Sequence, residues 1–154
     1  MLPIVRRRFF FHGVVLILAG LLTGLAVNVL PNPRMGLSAH LEGVLNGFFL
    51  IMLGLIWGEL RLSERAARAA RGLALYATYA NWIATLLSAV FGTSKMTPIA
   101  GAGHVGAAWQ EGLVALLLVT LALSIIGCCA IVLRGLAGSG GSAGSGAGAE
   151  PQQP

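Results

Sequence analysis

The chain has 154 residues, of which 56% are hydrophobic and only 10% charged, with no aspartate and a formal net charge of +5. A soluble domain carries about a quarter charged residues, so this composition excludes a water-soluble globular fold. The basic residues have no interleaved aromatics, which gives no reason to invoke nucleic acid.

Four apolar runs, 12–30, 39–57, 72–91 and 112–133, decide the class. Each crosses a ~30 Å hydrocarbon core at ~1.5 Å per residue. They predict an all-α integral membrane protein, a four-helix bundle filling 1–137 as one domain. Arg6, Arg7 and Arg8 precede the first run and give it the look of a signal peptide. The run is longer than a usual signal core, and no small-x-small cleavage site leads to a polar mature start. We therefore read it as a retained helix, in which Thr23 and Asn28 suit packing against neighbours. Pro31 to Gly36 follows as a short, turn-rich connection.

The second run opens on Ala39-His40-Leu41-Glu42-Gly43-Val44-Leu45-Asn46-Gly47. Hydrocarbon cannot solvate a histidine or a carboxylate, so ionisable residues there mark a functional site by default. At about 100° per residue His40, Gly43 and Gly47 share one face. Such a face suits close helix packing, or a flat cofactor beside a ligand-type side chain. The connection through 59–71 is basic and reads as a short solvated helix, with Glu64 preceding Arg68. The third run carries Asn81 and, one turn on, Thr85.

The last connection runs from Gly92 to about Gln110 and is expected to fold over the mouth of the bundle. Within it Gly101-Ala102-Gly103-His104-Val105-Gly106 matches a dinucleotide fingerprint by letters only. No strand precedes it and no ribose-binding acid follows at the right distance. Trp109 marks the membrane interface, and Glu111 opens the fourth run. Cys128 and Cys129 are adjacent on that helix, point about 100° apart, and read as buried small residues. The Gly/Ser/Ala-rich stretch 138–154 is expected to be a flexible tail.

Charge sets the orientation. With four crossings Arg6, Arg7, Arg8, Arg61, Arg65, Arg68, Arg71 and Arg134 fall on one side, leaving Arg34 and Lys95 on the other. The positive-inside rule places that richer side, and both termini, in the cytoplasm. Counting depth from the ends of the runs, His40, Glu42, Asn46, Asn81, Thr85 and Glu111 all fall in the outer half. Asn46 is then level with Thr85, and Asn81 lies a turn deeper. Interhelical hydrogen bonding at ~0.6 kcal/mol each would explain any one of them; clustering favours a shared cavity. No GxSxG, HExxH, CxxC or P-loop pattern is present. One histidine without carboxylate partners does not make a zinc or di-iron site, but it is enough for haem, whose porphyrin supplies four nitrogens.

Three blocks resemble the hydroxylaminobenzene mutase family: Asn32-Pro33-Arg34-Met35-Gly36-Leu37-Ser38-Ala39-His40-Leu41-Glu42-Gly43 with Asn46-Gly47; Leu75-Tyr76-Ala77-Thr78-Tyr79-Ala80-Asn81-Trp82; and Thr97-Pro98-Ile99-Ala100-Gly101-Ala102-Gly103-His104 with Trp109-Gln110-Glu111. The resemblance covers residues 10 to 134. It implies a multi-pass enzyme of the bacterial inner membrane, in contact with lipid, that isomerises hydroxylaminobenzene to 2-aminophenol during nitroaromatic breakdown. A more distant likeness is to the styrene oxide isomerases, four-helix membrane enzymes that hold haem b at the subunit interfaces of a trimer. It implies haem b on His40, with Gly43 and Gly47 beside it. It further implies a homo-oligomer, a substrate-polarising Asn46, and Asn81 with Thr85 in the pocket. Those isomerases carry a tyrosine where this chain has Thr85, which fits a different substrate.

The rival reading is a small four-helix membrane transporter of aromatic or cationic compounds. Such carriers are expected to need a carboxylate in the first helix, and 12–30 holds none. An electron-carrying cytochrome needs two axial ligands, and neither His12 nor His104 is well placed to be the second. Glu42, His104 and Glu111 receive no assigned role at this level.

Overall fold

The computed structural model describes residues 2–138. The tail expected to be flexible lies, from residue 139 on, outside the described residues. Among them the fold is all helical. Four helices, α1 (Leu2–Ala26), α2 (Pro33–Ile56), α3 (Glu64–Phe91) and α5 (Ala108–Ala137), are long and apolar enough to cross a membrane. A single helical turn, α4 (Pro98–Gly101), interrupts the last connection.

Every long helix begins earlier than its apolar run. In α1 the arginines at 6–8 belong to the helix rather than preceding it; their long side chains can keep the charges in the interface while the backbone stays helical. For α2 the cause is local. The Asn32 side chain accepts from the backbone N–H groups of Arg34 (3.1 Å) and Met35 (3.2 Å), and Pro33 takes the first helical position. Asn-Pro is thus a helix start worth about 1 kcal/mol, where the sequence reads as a turn. The solvated helix expected over 59–71 is instead the first two turns of α3, capped by the Ser63 hydroxyl at Ala66 N–H. Gly92, in the left-handed region at φ +66°, ends α3.

The helices pack in chain order, α1 on α2, α2 on α3 and α3 on α5. Their ends show the alternation of direction. Phe9 near the start of α1 lies 4.9 Å from Trp57, just past the end of α2. Asn32 N–H donates to Ala89 O near the end of α3, and Arg61 N–H donates to Gly135 O near the end of α5. The eight arginines named above therefore gather at one end of the bundle, and Arg34 and Lys95 at the other.

The core is built from Phe9, Leu16, Leu50, Leu53, Trp57, Ala70, Ala74 and Cys128. Glycines bring α1 and α2 into near contact: a Cβ on Gly43 would sit 2.6 Å from Gly20 Cα, and one on Gly13 would sit 2.7 Å from Gly47 O. Lacking a hydrophobic drive within lipid, helices gain from exactly such backbone approach through dispersion. α5 is the least covered helix, with only Val114, Cys128 and Gly135 buried along it. The expectation of two buried cysteines holds for Cys128, whose thiol donates to Ala70 O at 3.4 Å, and fails for Cys129, which is exposed. Successive helical positions cannot both face one neighbour.

Candidate functional site

His40 stands on the α1-facing side of α2. Its Nδ1 lies 2.8 Å from Gly20 O. A carbonyl can only accept, so Nδ1 carries a hydrogen, and the nitrogen whose lone pair could bind a metal is Nε2. Gly24 makes room for the ring: a Cβ there would lie 2.6 Å from His40 Nδ1. Nε2 has no hydrogen-bond partner among the described residues. No buried side-chain nitrogen or oxygen among them lacks a partner, so Nε2 is open to the outside of the chain. A backbone carbonyl on the far nitrogen is the arrangement that orients a metal-ligating histidine.

The face shared by His40, Gly43 and Gly47 is real. The glycines meet α1 at Gly20, Gly13 and Ile17, and Gly43 also abuts Trp82. The space beside them is taken by helix packing, so anything reaching His40 arrives on its Nε2 side. Trp82 is itself fixed by donating to the Thr23 hydroxyl at 3.2 Å.

On the other edge of α2, Glu42 ties two helices together. Its Oε2 accepts from the side-chain amide of Asn81 on α3 at 2.6 Å and from that of Asn46 at 3.1 Å. The Asn46 amide nitrogen also donates to Glu42 O at 2.8 Å. Asn81 therefore sits level with Glu42, about a turn above Asn46 on α2 rather than a turn below it. The physical reason is the early start of α2 at Pro33, which lengthens that helix above the site. Thr85 is buried and turns its hydroxyl onto its own helix, at Asn81 O (2.9 Å) and Trp82 O (3.0 Å).

The structure divides the expected cluster into three. Glu42, Asn46 and Asn81 converge, with Thr85 adjoining. His40 lies about 200° around α2 from Glu42, and the exposed residues Leu37, Leu41, Leu45 and Phe48 form the outward stripe of the same helix. Glu111 joins the connection above: its carboxylate accepts from the N–H groups of Ser94 (3.0 Å), Lys95 (3.0 Å) and Gly106 (3.2 Å). That loop is also pinned by Asn32, whose amide donates to Ala100 O and Gly101 O, and His104 bonds Gly101 O. Asn32 thus holds the loop over the α2 start, and the Glu111 carboxylate of α5 gathers its backbone N–H groups. No strand accompanies the glycine-rich hexapeptide among the described residues.

Gly20 and Gly24 were not singled out from the sequence, though their spacing of four in an apolar helix signals close packing. The His12–Tyr79 hydrogen bond at 3.0 Å, linking α1 and α3, had no such signal. No group of three or more His, Cys, Asp or Glu among the described residues converges to hold a metal ion. His40 offers one imidazole nitrogen, Nε2, as a donor.

Residues 5–137 match the family model described as styrene oxide isomerase. Among curated proteins the chain is similar to hydroxylaminobenzene mutase HabB of Ectopseudomonas oleovorans, at 53% identity over 131 residues, 84% of this chain and 80% of that one. It is also similar to hydroxylaminobenzene mutase HabA of the same organism, at 41% over 128 residues, 82% of this chain and 95% of that one. No solved structure matches it.

Proposed function

The chain belongs to the styrene oxide isomerase family, and from that premise we propose that it is a membrane mutase that rearranges hydroxylaminobenzene to 2-aminophenol by internal hydroxyl transfer. The observation that carries the reading is the 53% identity to a hydroxylaminobenzene mutase over 131 residues. It is supported by the Glu42–Asn46–Asn81 cluster, a polar group set among lipid-length helices with no soluble-enzyme motif beside it.

In the reaction the N–O bond breaks, the oxygen returns to the ring carbon ortho to nitrogen, and the displaced ring proton ends on nitrogen. Atoms and electrons balance without an oxidant. Departure of the oxygen leaves positive charge spread over nitrogen and the ortho and para carbons. Open water traps the para carbon; a dry site that keeps the oxygen near nitrogen favours ortho. The chain supplies that environment from apolar helix faces, and Asn46 and Asn81 hold the hydroxylamine by hydrogen bonds, with Thr85 closing the α3 side.

Haem b fits the residues present. His40 offers one imidazole with its hydrogen on Nδ1 and an open Nε2, beside the apolar outward stripe of α2. When bound there it would supply a Lewis acid for the substrate oxygen. His40 and the asparagine cluster lie on opposite edges of that stripe, which supports a site completed between copies of the chain. We read the protein as a homo-oligomer, a trimer by family resemblance, in a bacterial inner membrane. The arginine-rich end and both termini are assigned to the cytoplasm.

The test is the detergent-purified protein given hydroxylaminobenzene in oxygen-18 water. The expected product is 2-aminophenol without label. Substantial label, or mainly 4-aminophenol, would show that solvent traps the cation and would refute internal transfer.

A further inference from the structure

We propose that Glu42 is a positioning residue that turns the Asn81 carbonyl toward the substrate, beside that of Asn46, and thereby selects a substrate bearing hydrogens on nitrogen and oxygen. The proposal rests on the mutase reading and goes beyond it by assigning Glu42 and the direction of each hydrogen bond.

The orientation of Asn46 does not depend on the charge of Glu42. Its amide nitrogen lies 2.8 Å from Glu42 O, a backbone carbonyl that can only accept. Nitrogen, not oxygen, must face that carbonyl. The second hydrogen of the same amide points to Glu42 Oε2 at 3.1 Å. Both hydrogens of Asn46 are therefore spent inside the chain. Asn81 commits one hydrogen to the same Oε2 at 2.6 Å, from the neighbouring helix.

What is left over defines the recognition. Oδ1 of Asn46 and Oδ1 of Asn81 have no hydrogen-bond partner among the described residues, and because no buried side-chain oxygen there is unpartnered, both are reachable from outside. One Asn81 hydrogen also remains. The cluster thus presents two acceptors and one donor. An arylhydroxylamine has an N–H and an O–H to give to the acceptors, and its oxygen can take the remaining Asn81 hydrogen as the N–O bond weakens. An aryl epoxide has no hydrogen on its oxygen and would leave both carbonyls unpaired. A site built to hydrogen-bond a substrate group rejects analogues that lack it. The donor to the departing oxygen is then Asn81 rather than Asn46, the reverse of what the family resemblance implies.

The experiment measures kcat and KM for hydroxylaminobenzene and for styrene oxide with the wild-type full chain, Glu42→Gln and Glu42→Leu. Glutamine keeps an acceptor oxygen where Oε2 lies and should hold kcat/KM for hydroxylaminobenzene within roughly 3-fold of wild type, whereas leucine should lose roughly 30-fold or more. Leucine also frees the Asn81 amide to turn its hydrogens outward, while Asn46 stays held by the backbone carbonyl of residue 42, so the preference for hydroxylaminobenzene over styrene oxide should shrink by about 10-fold. A purely structural Glu42 would lower both substrates by one factor, and a charged or proton-accepting Glu42 would make glutamine as poor as leucine. Either result overturns the proposal.

If the wild type converts neither substrate, the mutase reading fails and the cluster is judged by thermal unfolding of the same detergent-solubilised chain. Glu42→Leu and Asn81→Leu should each lower Tm, and the double variant should fall no further than the worse single one. Additive losses would show that the two residues do not act together, and would overturn the hub itself.

Discussion

A neutral imidazole is a good ligand only when its other nitrogen is held, and for His40 that task falls to Gly20 O. The ring reaches this carbonyl because Gly24, one turn further along α1, has no side chain. A methyl there would sit 2.6 Å from Nδ1, so Gly24→Ala must push the ring off its acceptor while leaving His40 in place. Two absorbance measurements on purified protein check the haem assignment. His40→Ala is expected to abolish the Soret band with membrane insertion intact. Gly24→Ala should retain a band but weaken haem affinity by about 10-fold or more, the range typical of outer-shell losses at metal sites. A wild type that is colourless yet fully active would refute the haem, and an unaltered affinity in Gly24→Ala would show that the Gly20 contact does not orient the ring.

At the scale of helices, the four spans and their order were legible because twenty-residue apolar runs have one physical use. Their boundaries were less so. Hydropathy marks where a chain enters hydrocarbon, whereas a helix ends where its backbone groups find other partners. Asn32 with Pro33, and Ser63, provide those partners beyond the apolar run. The six-residue displacement at the start of α2 then carried through to the site, because depth was counted from the run. It sets Glu42 deeper than the run implies, level with Asn81, and Asn46 below both. The residues of the cluster were all visible as polar letters in apolar context. Who bonds whom was not, since the rotation of each helix about its axis is fixed by packing such as Gly20 against Gly43, which no single run encodes. Glu111 shows the same limit: its letter fits a pocket, but its oxygens are spent on the N–H groups of 94, 95 and 106.

For the whole molecule, eight of ten basic residues gather at the end that holds both the start of α1 and the end of α5. The cytoplasmic assignment of that end is checked by reporter fusions after Arg134, which should be active only as cytoplasmic markers; periplasmic activity would reverse the orientation and the depth of the site with it. The outward stripe of α2 poses the larger question. His40 contacts α1 on one edge of it and Glu42 contacts α3 on the other, with Leu41 and Leu45 exposed between. On the proposed reading one chain does not bring its own Nε2 and its own asparagine carbonyls to a single small molecule. A second copy laid against the stripe can. The contact would join one edge to the opposite edge of the next chain, a heterologous interface that closes into a ring when the rotation permits. Such a site has a genetic signature. A His40→Ala chain is impaired only at the ligand edge, and an Asn46→Leu chain only at the carbonyl edge. Each alone should lose most of its activity, but co-expression builds some interfaces with an intact His40 from one chain and an intact Asn46 from the other. In a randomly mixed trimer roughly a quarter of the interfaces are of that kind, so about a quarter of wild-type activity should return. No recovery above the single variants, in complexes shown to contain both chains, would place the whole site within one chain.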